Sequence, residues 1–216
     1  MSIKIYDPQL AAEIASDLIK IGAIKLNPTE PFTWASGWKS PVYCDNRVSL
    51  SFPDVRAKIK TAFGLAIAKE FDHIDVIAGV ATAGIPQGTL IANDLALPFI
   101  YVRSKPKGHG LQNIIEGKIE KGQKVLLIED LVSTGGSSLA AVQALREASA
   151  EVAGMMAIFT YGFEVAEKNF EDKKVNLIVL SDYRHLLNQV KDESMFGEEA
   201  LRTLEKWREN PSEWAV

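Results

Sequence analysis

The chain has 216 residues, 47% of them hydrophobic and 24% charged, with a formal net charge of −4. That length and composition suit one globular α/β unit, able to bury roughly 70% of its unfolded surface without disulfides or structural metals. The acidic balance argues against nucleic acid as the main partner, since phosphate-backbone binders carry a basic excess. No apolar run approaches about 18 residues, and the N-terminus MSIKIYDPQL has no basic-then-apolar signal pattern. A membrane partner is therefore not expected, and the cytoplasm is. The single Cys44 fits a reducing compartment and reads as a packed small residue, because no nucleophile motif surrounds it.

In chain order, Asp7-Pro8 is a helix cap followed by proline at the first helical position. Leu10, Ala11, Ile14, Leu18 and Ile21 then recur at helical spacing, predicting an amphipathic helix over 7–21. From Asn27 to Asn46 the periodicity breaks. The segment FTWASGWKSPVYCDN mixes aromatics with Gly, Ser and Pro and reads as turns and short strands, a flap rather than a second core. Pro53 to Phe71 is helical again, with Val55, Ile59, Phe63, Ala66 and Ile67 on one side.

Ile74–Val80 is a short apolar strand ending in the small-residue turn Ala81-Thr82-Ala83-Gly84. A helix to about Ala96 and a strand at Phe99–Val102 follow. Residues 103–117 have no periodicity. Val125–Ile128 is another buried strand, followed by Glu129-Asp130 and a helix from about Gly136 to Ala148. Strands at Val152–Tyr161 and Val175–Leu180 complete the core, and a helix over Met195–Arg208, charged on one side, is either exposed or meets a partner. Nearly continuous apolar strands alternating with helices imply a parallel sheet covered on both faces. The expected organisation is one domain: helix and flap in 1–50, a core in 72–182, and C-terminal helices in 183–216.

Three loops carry chemistry. In VLLIEDLVSTGGSS, two carboxylates leave a strand, and Ser133, Thr134, Gly135, Gly136, Ser137 and Ser138 open a helix. Glycines let backbone N–H groups curl around an anion, hydroxyls add donors, and the helix dipole favours negative charge. The competing reading is a plain capped helix, against which the acidic pair, with no capping use, counts. There is no GxxxxGK[ST] and no GxGxxG. Carboxylates beside a phosphate cradle suit a sugar phosphate, accepting hydrogen bonds from ribose hydroxyls. The second loop crowds Arg103, Lys105, Lys107 and His109 into seven residues, with Gly108 and Gly110 marking it as a mobile lid. The third, Ala81–Gly84, is either an anion loop or a tight strand-to-helix turn.

Together these segments resemble the type I phosphoribosyltransferases. The stretch 125–138 looks like their signature for phosphoribosyl diphosphate (PRPP). VRSKPKGHG (102–110) and FTWASGWKSPVYCDNR (32–47) resemble the catalytic loop and N-terminal flap of the orotate phosphoribosyltransferases. The resemblance implies a parallel-sheet fold with a flap and a flexible catalytic loop, and transfer of phosphoribose from PRPP to orotate in pyrimidine biosynthesis. It assigns Lys107, His109, Glu129 and Asp130 to catalysis. PRPP contacts fall on Arg103, Lys105, Lys107, His109, Glu129, Asp130, Leu131, Val132, Ser133, Thr134, Gly135, Gly136 and Ser137, with Ser133 also touching orotate. Ala81–Gly84 matches the loop beneath the diphosphate. The implied cofactor is Mg²⁺, held mainly by PRPP and water, and the implied assembly a homodimer that shares the catalytic loop between subunits. Three positions depart from relatives. Ser104 stands where many have a second lysine, for which Lys105 is a candidate substitute. Ala35 and Tyr161 stand where some have lysine and arginine near orotate. The orotate carboxylate contact is thus open between flap N–H groups and Arg47. Another nucleobase remains the alternative substrate. A PRPP-sensing regulator is disfavoured by the acidic charge and by only about 70 residues ahead of the core.

Overall fold

The computed structural model describes residues 3–34, 36–104 and 114–214. Eleven strands appear among them: β1 (Ile3–Ile5), β2 (Ile24–Leu26), β3 (Phe32–Thr33), β4 (Lys39–Ser40), β5 (Val42–Cys44), β6 (Val76–Val80), β7 (Phe99–Val102), β8 (Ile115–Glu116), β9 (Lys124–Val132), β10 (Glu151–Thr160) and β11 (Leu177–Asp182). The helices are α1 (Pro8–Lys20), α2 (Pro53–Glu70), α3 (Gly84–Leu95), α4 (Gly136–Glu147), α5 (Glu164–Asp172), α6 (Tyr183–Asp192) and α7 (Glu198–Glu209), with a 3-10 turn at Asn46–Ser51. A seven-stranded sheet runs β1-β11-β10-β9-β6-β7-β8. All its pairs are parallel except β7–β8, an antiparallel edge.

Alternation along the strands distributes side chains between two cores. Leu126 and Ile128 of β9 face one core, which also holds Ile14 and Leu18 of α1, Ile59 and Phe63 of α2, Ile91 of α3 and Leu186 of α6. Val125 and Leu127 face the other, beneath Leu139, Val142 and Leu145 of α4 and Phe170 of α5. Helices on both faces are what the continuous apolar strands imply. The cap at α1 forms as its sequence suggests: the Asp7 carboxylate accepts from the Leu10 N–H at 2.8 Å, with proline in the first turn.

Three features differ from the sequence reading. Ile3–Ile5, three residues with no recognisable local signal, pair with β11 and extend the parallel sheet. The aperiodic stretch 103–117 includes β8, which returns along β7 through Tyr101–Glu116 and Val102–Ile115. The C-terminal helix is shorter than expected and packs on its own chain, burying Leu204 and Trp207.

Candidate active site

Strand β9 continues through Val132, so Glu129 and Asp130 lie inside the sheet and not in a loop beyond it. This corrects the reading in which the strand ends at Ile128 and the two carboxylates leave it. Glu129 is only 5% exposed. Its carboxylate accepts from the Ser138 hydroxyl at 3.0 Å and the Asp130 N–H at 3.1 Å. Glu129 thus holds the Ser138 side chain in the first turn of α4 without capping any of the helix's N–H groups, in line with an acidic pair that has no capping use. Burial, then the charge of Asp130, pushes the Glu129 carboxyl well above its ordinary range. Burial also raises Asp130. Two adjacent carboxyls held this way resist joint ionisation and await positive charge or hydroxyl donors.

Leu131 and Val132 complete β9, and Ser133-Thr134 turns the chain into α4. Gly135 adopts φ +82 at the helix N-terminus, and no side chain caps the helix. The Ser/Thr run thus does not cap α4 locally, and the first-turn N–H groups of Gly136 and Ser137 lack intrahelical partners by geometry. Two residues of α5 shape this loop from behind. Asn169 Nδ2 donates to the Thr134 carbonyl at 2.9 Å, and a Cβ on Gly135 would stand 2.7 Å from Phe170 Cε2.

The Ala81–Gly84 turn sits against the same strand. A Cβ on Gly84 would overlap the Ile128 carbonyl and lie 3.4 Å from the Glu129 Cα, so only glycine lets α3 start beside the acidic pair. The Ala81-Thr82 peptide is cis, and α3 too begins without a side-chain cap. Arg103 leaves β7 and donates from Nη1 to Glu116 Oε1 at 3.2 Å, closing the base of the segment that follows. Lys105, Lys107 and His109 lie outside the described residues, as does Ala35.

The flap consists of two antiparallel hairpin pairs, β2–β5 and β3–β4. It meets the core around a cavity of about 360 Å³ lined by Thr33, Trp34, Tyr43, Cys44, Leu131, Ser133 and Tyr161. Ser133 is thereby both next to α4 and in the cavity wall. Cys44 is buried, as expected for a packed residue, its thiol donating to Asn46 Oδ1 at 3.4 Å. Buried Asn46 in turn donates from Nδ2 to the Asp130 carbonyl at 2.7 Å, tying the flap's end to the acidic strand. Arg47 is spent on Asp45, with Nε–Oδ1 at 2.7 Å and Nη2–Oδ2 at 2.8 Å. Tyr161 is a buried wall, 4.9 Å from Trp34 and stacked on Phe163 between ring centroids 5.4 Å apart. Sequence reasoning missed Asn46, Asn169 and Trp34 as site residues. The aromatic density of 32–43 was a usable signal for Trp34; the two asparagines had none.

This fold has counterparts among known proteins. Residues 53–192 match the model of the phosphoribosyl transferase domain. An orotate phosphoribosyltransferase of Cytophaga hutchinsonii is 53% identical over 202 residues, spanning 94% of this chain and 97% of that one. One from Streptococcus thermophilus is 51% identical over 205 residues, 95% and 98% of the two chains. Among solved structures, the orotate phosphoribosyltransferase of Aeropyrum pernix aligns with a TM-score of 0.73 at 27% identity, covering 85% of this chain and 99% of that one. With a matched domain model, near-full-length relatives above half identity and a shared fold, this chain belongs to the phosphoribosyltransferase family and, within it, to the orotate phosphoribosyltransferases.

Proposed function

We propose that this chain transfers the phosphoribosyl group of PRPP to orotate, giving orotidine 5′-phosphate and diphosphate, as a cytoplasmic step of pyrimidine (UMP) biosynthesis. The observation that carries the reading is the uncapped N-terminus of α4 opening directly beside buried Glu129, half-buried Asp130 and the flap-covered cavity. An anion at the helix N-terminus, a ribose over the carboxylates and a flat base in the cavity would be connected in the order of a nucleotide. Thr134–Ser137 take the 5′-phosphate through N–H and hydroxyl donors. Glu129 and Asp130 accept from the ribose hydroxyls, and Leu131, Val132 and Ser133 line the path to the base. Ser133 touches orotate, and the ring lies along Trp34 and Tyr161. Arg103, Lys105, Lys107 and His109 neutralise the departing diphosphate, with Ala81–Gly84 beneath it. The reaction needs no strong base, because the pyrimidine nitrogen is readily deprotonated, so positioning and charge stabilisation dominate.

Among the described residues no three His, Cys, Asp or Glu side chains converge on a metal position, and the acidic pair offers only oxygen donors. That donor set fits Mg²⁺, which takes oxygen ligands and keeps phosphate oxygens and water in its shell. When bound it would supply charge neutralisation to the diphosphate, held mainly by PRPP and water with Glu129 and Asp130 nearby. In a spectrophotometric assay, orotate consumption is expected to require both PRPP and Mg²⁺. Undiminished turnover in excess chelator would sink the metal assignment, and no turnover with any addition would sink the function.

All parts of the chain serve this one site in our reading: flap (1–50), PRPP core (72–182) and C-terminal helices (183–216). The active species is a homodimer in which the catalytic loop (102–110) of one subunit completes the site of the other. Mixing Lys107→Ala with Asp130→Asn, each nearly inactive alone, tests this. Random reassortment makes about half the dimers mixed, each with one intact site, so roughly a quarter of wild-type activity should return. Confirmed subunit exchange without recovery rejects the shared loop.

A further inference from the structure

A base with a carboxylate, bound in an apolar cavity, needs a cation or several donors, because an unpaired buried charge is costly. Among the described residues, the seven that line the cavity carry no cation. Two basic side chains close to it are already engaged. Arg47 is paired with Asp45, and Arg208 donates to the carbonyls of Tyr161 at 3.3 Å and Gly162 at 3.0 Å.

Lys39 is different. It stands opposite Thr33 in the β3–β4 pair, and its Nζ donates to the Thr33 hydroxyl at 2.8 Å. Thr33 belongs to the cavity wall. Among the described residues Lys39 has no acidic partner, and its ammonium bonds a neutral hydroxyl. The side chain is exposed, yet its backbone is held from several directions. The Lys39 carbonyl accepts from Trp207 Nε1 at 3.2 Å. Trp207 is fully buried and meets Trp34 and Tyr161 edge-on, with centroids 5.6 and 5.5 Å apart. Next to it, the buried Ser40 hydroxyl donates to the Val42 carbonyl at 2.7 Å, and Trp34 Nε1 donates to the same carbonyl at 3.0 Å. Helix α7 thus pins β4 from behind, and β4 presents an ammonium to the cavity rim. The fixed backbone sets where the ammonium can reach.

We propose that Lys39 is the specificity-determining cation that reads the carboxylate of the base, positioned by Trp207. The assignment rests on orotate being the substrate. It resolves the choice between Arg47 and backbone N–H groups in favour of a residue neither reading named. A charge-assisted hydrogen bond at a partly desolvated rim corresponds to about 30-fold in affinity.

The test is titration of intrinsic tryptophan fluorescence with orotate and with its uncharged methyl ester, plus calorimetry with PRPP. Lys39→Met is expected to weaken orotate about 30-fold, while leaving methyl-ester and PRPP affinity within about twofold. Lys39→Arg should keep orotate within about threefold, and Trp207→Phe, which loses the Nε1 donor, should lose part of the orotate affinity alone. Lys25→Met, an exposed lysine opposite Tyr43 on the neighbouring hairpin, is the control and should bind orotate normally. Wild-type orotate affinity in Lys39→Met, equal loss for the methyl ester, or an equal loss in Lys25→Met would overturn the assignment while normal wild-type turnover keeps the function. A wild-type protein that neither binds nor consumes orotate would overturn both.

Discussion

Gly135→Val is expected to remove PRPP binding, raising its Kd at least 10²-fold in calorimetry while the protein still folds. Three effects act at one position. Gly135 sits at φ +82, a left-handed conformation that costs an ordinary L residue about 1–2 kcal/mol and a β-branched one more. A Cβ there would stand 2.7 Å from Phe170 Cε2 and 3.2 Å from Cδ2, and Phe170 of α5 is fully buried, so the ring has little room to yield. The remaining direction is outward, into the space at the N-terminus of α4 where a 5′-phosphate would lie. Strain should show as a lower melting temperature. Gly122→Val supplies the comparison, since Gly122 also has positive φ (+83) but nothing within 4 Å of its Cβ position. It should lose stability without losing PRPP. If Gly135→Val binds PRPP normally, α4 is not the phosphate cradle.

Asp130→Asn should lower kcat/KM on the order of 10²-fold, roughly 2.7 kcal/mol of transition-state stabilisation, without lowering stability at pH 7. The sign of the stability effect follows from the acidic pair. Burial raises both carboxyls, and the Asp130 charge raises Glu129 further. A carboxyl raised on folding contributes stability below its unfolded pKa and loses that contribution as pH rises through the folded value. At pH 7 the wild type therefore holds the pair at a cost, which the amide, nearly equal in shape, partly removes. The variant should melt at or above the wild-type temperature at neutral pH, and the difference should vanish below the ordinary carboxylate range. The Asp130 carbonyl keeps its bond from Asn46, since the substitution changes only the side chain. Near-normal kinetics would reduce the acidic pair to loop structure. A large loss of stability would contradict the electrostatic account.

Several parts of this protein are determined by neighbouring residues alone. Asp7-Pro8 starts α1 because the cap bond spans only three residues. The β6, β7 and β10 strands follow from runs of apolar residues too short and too continuous for an exposed helix. The Gly-Gly after Ser-Thr marks the start of α4 because only glycine enters a left-handed conformation cheaply. Tertiary structure alone decided the rest. Ile3–Ile5 become a strand because β11 offers a free edge. Glu129 and Asp130 stay in the sheet because β10 pairs with β9 as far as Thr160–Val132, beyond the point where apolar pattern stops. Asn46 reaches Asp130 across 84 positions, Asn169 reaches Thr134 across 35, and Trp207 reaches Lys39 across 168. Each is one polar bond between distant segments, and a single bond leaves no periodicity in either. Sequence specifies what repeats locally or must bend locally; a pocket assembled from four separate segments exists only once packing has paid the chain entropy that separates them.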